Sequence, residues 1–381
     1  MLKPIHSLTL LTTAMQGGHM GSRVVASLFA LSLGAGPMEI GLLIASYSIF
    51  QLAFALTVGR LSDRFGSRLP MLGGAIVFAL GLLLPVTWPS LPALYLSAPL
   101  IGIGFVFFNV ANQNLAGTLG TPQERTRHFA TLGLGYSTGH MIGPIIAGLA
   151  IDQAGHRVAY LVFVILTLLP IAALAWDRRL GAEGSSDRSE HGSAMELLRN
   201  IPLRRMIIVS GLVTTGWDLY VFYVPIYGHS IGLSASTIGT ILGAFAAATF
   251  IVRVLLPLLT RRFSVEYVLA AAMALAALLF LPFTFVTFVP VLLVLSFCIG
   301  LTLGVSQPLT LNLTYNRSPT GRSGEVTGLR LTINNITHIG VPLAAGSVGA
   351  LFGITPVFWA SAAILGASGY LTLRDRDSNG N

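Results

Sequence analysis

Charge is what this chain has least of. Asp, Glu, Lys and Arg together make up 9% of its 381 residues, against about 25% in a typical soluble domain. A surface so poor in charge is not built for water, which excludes an ordinary soluble enzyme or binding module. Acids are scarcer than bases, 14 against 22, so an acid inside an apolar run stands out. There is one cysteine, Cys298, which excludes an intramolecular disulfide and a thiolate metal cluster. Its place within an apolar run reads as small packing. Nucleophile constellations, phosphate loops and metal-ligand clusters are also missing, so no metal and no cofactor is expected.

Apolar residues supply 54% of the chain, with a mean hydropathy of +0.78. Runs of about 20 residues, enough to cross a bilayer, recur from 7–33 to 355–373, twelve in all. Hydrocarbon offers no partner to a bare peptide group, so each run must be a helix. The net charge of +8 could suggest a nucleic-acid partner, but its distribution does not. With the N terminus inside, 18 basic residues fall in cytoplasmic segments and Arg157 alone falls outside. That asymmetry places both termini in the cytoplasm and the protein in the cytoplasmic (inner) membrane. The first run is too long for a cleavable signal and lacks a small-residue cleavage site, so it is expected to stay as the first helix.

The sequence also repeats itself at a constant offset of 198. His140-x-x-x-Pro144-x-x-x-Gly148 returns as His338-x-x-x-Pro342-x-x-x-Gly346. The same offset pairs Gly34 with Gly232, Gly102 with Gly300, Arg64 and Phe65 with Arg262 and Phe263, and Gly155 with Gly353. Such a register implies a duplicated half-protein with function where the halves face each other. The expected architecture is an all-α membrane protein of two pseudo-symmetric six-helix bundles, residues 1–176 and 206–381. Between them, 177–205 forms a cytoplasmic linker, polar at first and ending in an interfacial helix over 194–205.

Ionisable residues at membrane depth are costly unless they face a partner or a cavity. Gln16, His19 and Arg23 form a stripe on helix 1, and Asn109 and Gln113 share a face of helix 4. On helix 7, Thr214 and Asp218 lie one turn apart, flanked by Trp217 and Tyr220. Helix 10 carries Ser306, Gln307 and Thr310. Helix 11 has the longest stripe, Arg330, Asn334 and His338, and the repeat makes His140 the counterpart of His338. Asp218 is the single acid near mid-membrane and the first candidate to carry a proton, with His338 and His140 next. Arg23 and Asp218 could also bridge each other, and Arg253 could snorkel to the inner surface.

The loop Gly59-Arg-Leu-Ser-Asp63-Arg64-Phe-Gly66-Ser-Arg68 resembles the signature loop of the major facilitator superfamily, G-x-L-a-D-r-x-G-r-r. With the twelve-helix layout and the central linker, the resemblance covers the whole chain. It implies two bundles that rock about a central cavity lined by helices 1, 4, 7 and 10. It also implies that Gly59, Asp63, Arg64, Gly66 and Arg68 latch one state of the gate. The second copy, Pro257 to Ser264, has lost the acid and the glycines. Gly135, Gly139, Gly143, Pro144 and Gly148 match the glycine-proline motif of the family's antiporters, and small residues four apart also let helices touch. The arginine of drug–proton antiporters is absent from helix 4, where Ala98-Pro99-Leu100-Ile101-Gly102 stands.

The function expected is secondary transport of a small organic solute, anionic or amphipathic, coupled to protons or another ion and carried out by a monomer in lipid. Substrate contacts are expected from Gln16, His19, Arg23, Asn109, Gln113, Trp217, Tyr220, Gln307, Arg330 and Asn334. Three intramembrane arginines against one aspartate favour an anion. The alternatives are a multidrug–proton antiporter exporting cationic or neutral compounds, and a membrane sensor that transports nothing.

Overall fold

The computed structural model describes residues 4–118, 125–176, 199–317 and 323–379. Those residues are helical almost throughout. In chain order they form α1 (Pro4–Ser32), α2 (Pro37–Phe65), α3 (Arg68–Thr87) and α4 (Leu91–Thr118). The run Arg125–Trp176 is broken at Gly155, whose φ of 81° is not helical, into α5 (125–154) and α6 (156–176). Then follow α7 (Ile201–Ser230), α8 (Ala235–Arg262), α9 (Val265–Phe280), α10 (Val289–Asn316), α11 (Ser323–Phe352) and α12 (Ile354–Asn379).

Ten stretches of the described residues are long and apolar enough to cross a membrane. One of them, Thr131–Trp176, is 46 residues long and holds both α5 and α6. The stretch α1, interrupted by Gln16, His19 and Arg23, is not among the ten. The linker 177–198 lies outside the described residues. Ile201–Arg205, read from sequence as the end of an interfacial helix, is instead the first turn of α7. Leu203 there is fully buried against Val326 and Leu329 of α11.

The chain divides into two compact units, 1–188 with 228–243, and 189–227 with 244–381. In the first unit α1 lies along α5, α3 on α4, and α2 on α4. In the second, α9 packs on α12 and α10, and α11 on α12. Lipid tails are as apolar as leucine, so close backbone approach does much of the holding. A Cβ on Gly102 would lie 2.1 Å from the Tyr47 carbonyl oxygen, and one on Gly300 would lie 2.3 Å from that of Phe245. Tyr47 and Phe245 are themselves 198 apart, so both units repeat one helix contact. The turn glycines repeat as well: φ is +86° at Gly34 and +76° at Gly232, +81° at Gly155 and +84° at Gly353. A side chain in that left-handed region is strained. Outside, Leu80, Leu278 and Val294 are more than half exposed, as a lipid-facing surface requires.

Candidate substrate and proton-coupling site

In the second unit the polar residues of α7 and α11 meet rung by rung. Ser210, Thr214 and Asp218 are four apart on α7, as are Arg330, Asn334 and His338 on α11, so both sets stack on one helix face. Arg330 Nη1 donates to Ser210 Oγ (3.3 Å), which donates to Asn334 Oδ1 (3.2 Å). Two turns on, His338 Nδ1 meets Asp218 Oδ2 at 2.6 Å. Asp218 is 3% exposed, whereas the His338 side chain is 35% exposed. A buried carboxylate must be paired or protonated, and a charge-assisted contact of this length does the pairing. His338 is therefore the accessible member of the pair, and Asp218 the enclosed one. Arg330 Nε is buried without a hydrogen-bond partner, leaving one guanidinium donor for a ligand.

In the first unit the corresponding network joins amides, hydroxyls and a histidine. Gln16 Nε2 lies 3.0 Å from His140 Nδ1. Asn112 Nδ2 donates to Thr12 Oγ1 (3.0 Å) and to Tyr136 Oη (3.3 Å). Tyr136 Oη donates in turn to Asn109 Oδ1, which also accepts from Gln113 Nε2 (3.2 Å). His19 is buried, stacked on Phe105 at 4.0 Å and 10°, with Tyr47 edge-on at 5.9 Å.

The structure thus joins Gln16 to His140, Asn109 to Gln113, Arg330 to Asn334 through Ser210, and Asp218 to His338. Trp217 lies edge-on to Phe245 (4.8 Å), and Tyr220 is fully buried, stacked on Phe245 (4.4 Å) beside Phe280 and Phe283. Tyr220 thus helps to fill an aromatic core. The Gln307 carbonyl accepts from Thr310 Oγ1 (2.9 Å), and Ser306 Oγ donates to the Thr302 carbonyl (2.8 Å), bonds made within α10 itself. Thr12, Asn112, Tyr136 and Ser210 were not singled out from sequence. The repeat offered a clue, since Thr12 with Ser210 and Tyr136 with Asn334 share its register.

In the signature loop, Gly66 has a φ of 77° and Arg64 lies 5.0 Å from the Phe65 ring. The Asp63 side chain lies outside the described residues, and a side chain on Gly59 would meet open space. Arg68 donates from Nε to the Leu174 carbonyl (2.7 Å) and from Nη2 to that of Ala175 (2.8 Å), where a cation complements the C-terminal end of α6. Along α5, a Cβ on Gly135, Gly139 or Gly143 would come within 2.8 Å of α1 backbone atoms. These glycines seat α1, and Pro144 and Gly148 continue the same face towards α8.

A duplicated all-helical bundle with buried polar networks inside an apolar exterior defines the class, a multi-pass membrane protein. The family profile described as Major Facilitator Superfamily matches residues 8–342. The chain belongs to that family. It is 28% identical over 192 residues to the class B tetracycline resistance protein of Escherichia coli, a match covering 47% of this chain and 48% of the relative. It thus spans about half the length of that relative. Multidrug resistance protein MdtG of Dickeya zeae (strain Ech586) is 27% identical over 321 residues, covering 81% of this chain and 77% of the relative. Among solved structures, a bacterial homologue of the human lysosomal transporter Spinster superposes with a TM-score of 0.75 at 14% identity, covering 98% of this chain and 99% of that one. At that identity the likeness speaks for the fold alone.

Proposed function

We propose that this chain, as a secondary transporter, moves a small organic solute across the cytoplasmic membrane by alternating access, driven by protons that the His338–Asp218 pair carries. One observation supports the coupling role above others: a nearly inaccessible carboxylate 2.6 Å from a histidine that is one-third exposed. A proton arriving at His338 can pass along the Nδ1···Oδ2 contact to Asp218. A protonated carboxyl no longer needs the imidazole, and its release frees α7 and α11 to shift. Deprotonation restores a charge that must find its partner again, and that alternation is what couples an ion to a conformational change.

On this reading the substrate bears an anionic or strongly hydrogen-bonding group, because Arg330 keeps a buried donor available and a guanidinium fork suits carboxylate or phosphate. Gln16, His19, Arg23, Asn109, Gln113, Trp217, Gln307 and Asn334 supply the remaining polar and aromatic contacts, and Gly59, Asp63, Arg64, Gly66 and Arg68 gate the inner side. The chain works as a monomer in lipid with both termini in the cytoplasm, halves at 1–176 and 206–381, and no enzymatic step. A second reading, export of amphipathic drugs, is favoured by the names of the tetracycline and multidrug resistance relatives.

Transport into proteoliposomes tests the pair. Asp218→Asn is expected to abolish accumulation driven by a pH step while leaving exchange measurable. A variant that still concentrates solute against its gradient would show that protons travel elsewhere. Selectivity separates the two readings: organic anions should bind and ethidium-like cations should not.

A further inference from the structure

The start of α8 draws its side-chain acceptors from two places in the chain. Ser234 Oγ already accepts from the Thr237 N–H at 3.2 Å, an ordinary side-chain N-cap. Asp152, in the last turn of α5, adds its whole carboxylate. Its Oδ1 accepts from the Ala235 N–H at 3.0 Å and its Oδ2 from the Ser236 N–H at 2.8 Å. Burial tends to raise the carboxyl's pKa, but the hydrogen bonds from Ser236 and Ala235 outweigh it and hold the group below the usual aspartate range. Beneath the carboxylate the backbones touch. A Cβ on Gly148 would lie 2.2 Å from the Ala235 carbonyl oxygen, and one on Gly239 would lie 2.3 Å from that of Pro144. Residues 228–243, which belong to the second repeat by sequence, accordingly group with the first unit.

The repeat supplies an internal control. Its offset carries Asp152 to Ala350 and the start of α8 to the start of α2 at Pro37. There the Gly36 N–H donates to Glu39 Oε2 at 2.7 Å, a cap made by neighbouring residues. One helix start is capped locally, and the other is capped locally and again from the other repeat. The second cap serves two N–H groups that Ser234 does not reach, at a helix end where water can replace a short side chain, so it can open without unravelling α8.

We propose that Asp152 is a releasable clasp on the N terminus of α8, holding the Ala235 end of that helix against α5 in one state of the transport cycle and letting go in the other. The proposal rests on the transporter reading but concerns the gate rather than the cargo. Gly148 and Gly239 supply a close-fitting surface without direction. The carboxylate supplies the directional, breakable part, because a charge at a helix N terminus is favoured only while it stays within about one turn of the end.

The test uses the full chain in lipid nanodiscs with Cys298→Ser, spin labels at the exposed positions 154 and 240, and distances read by pulsed dipolar spectroscopy without substrate or gradient. Asp152→Asn, which loses the charge and one acceptor, is expected to raise the separated population by about two- to fivefold, and Asp152→Ala by at least as much. Ser234→Ala should leave the distribution in place. Asp152 variants that lower the melting temperature with unchanged distances would make the bond a structural cap and overturn the proposal. A shift as large in Ser234→Ala would overturn it too, because any weakening of the helix start would then suffice. Since no cargo is involved, a chain that shifted without transporting would refute only the transporter reading, and one that transported without shifting would refute only the clasp.

Discussion

The α1–α5 contact of the first unit and the α7–α11 contact of the second are two copies of one design with opposite electrostatics. Thr12 and Ser210 hold the same place, as do Tyr136 and Asn334, and His140 and His338. The first unit surrounds them with neutral partners: Gln16 faces the histidine, and Asn109 and Asn112 share the tyrosine hydroxyl. The second introduces charge at two places, Arg330 where the first has Leu132, and Asp218 where the first has Met20. Duplication has therefore left one copy to join amides, hydroxyls and a histidine, and the other to hold a carboxylate and a guanidinium. A network of amides and hydroxyls can rest in one arrangement, whereas an acid–base pair that carries a proton, as proposed above, needs two.

The comparison breaks most visibly when each histidine's partner is exposed. His338→Ala leaves the Asp218 carboxylate buried and unpaired, a loss of about 3 kcal/mol in stability. His140→Ala strands no carboxylate and takes a partner from the Gln16 amide, a loss of about 1 kcal/mol. Thermal unfolding in detergent near neutral pH, followed by scanning fluorimetry, reads both values. Equal losses would mean that the second unit holds no special charge. Asp218→Asn combined with His338→Ala should recover part of the larger loss, because the stranded charge has gone.

A finer probe acts within the neutral copy. Tyr136→Phe removes the hydroxyl that links Asn109 to Asn112, at a cost of about 1 kcal/mol. The pH dependence of driven transport should be unaltered by it, because no titrating partner is touched. A displaced pH profile in that variant would bring the first unit into the proton path.

The smallest expected effect concerns Asp152. Its carboxyl is held below the usual aspartate range, so its contribution to stability is present above that range and lost as pH falls through the lower folded-state value. Between about pH 5 and 8 the clasp should be indifferent to pH, and the label distances at positions 154 and 240 should stay fixed. A pH response in that interval belongs to another group.

How far the sequence could be read follows the same physics. The repeat, the membrane helices and the stripes on α1, α7 and α11 are all periodic, and periodicity survives without coordinates. The pairing of Asp218 with His338 depends on how two helices rotate against each other, and no spacing within either helix carries that. Ser210 and Thr12 look in sequence like any other membrane hydroxyl, since most of these bond to their own helix, as Thr214 does to the Ser210 carbonyl at 2.9 Å. Tyr220 stands two residues from Asp218, yet its ring points into packed phenylalanines, and an aromatic side chain reads alike in a core and in a cavity. The shortened apolarity of α1 is the opposite case, because the residues that weaken its signal as a span are those that build its network.

The paired left-handed glycines also record ancestry. At Gly34 with Gly232, and at Gly155 with Gly353, the backbone admits almost nothing but glycine, so two copies that drifted apart nearly everywhere else stayed identical there. Gly66 shows the other outcome: its counterpart is Ser264, whose φ of −63° belongs to a different turn. That copy changed the path of its chain and with it escaped the need for glycine. What the halves still have in common at these turns is an atom that neither can carry, and an ancestral shape is legible in the side chains that were never free to appear.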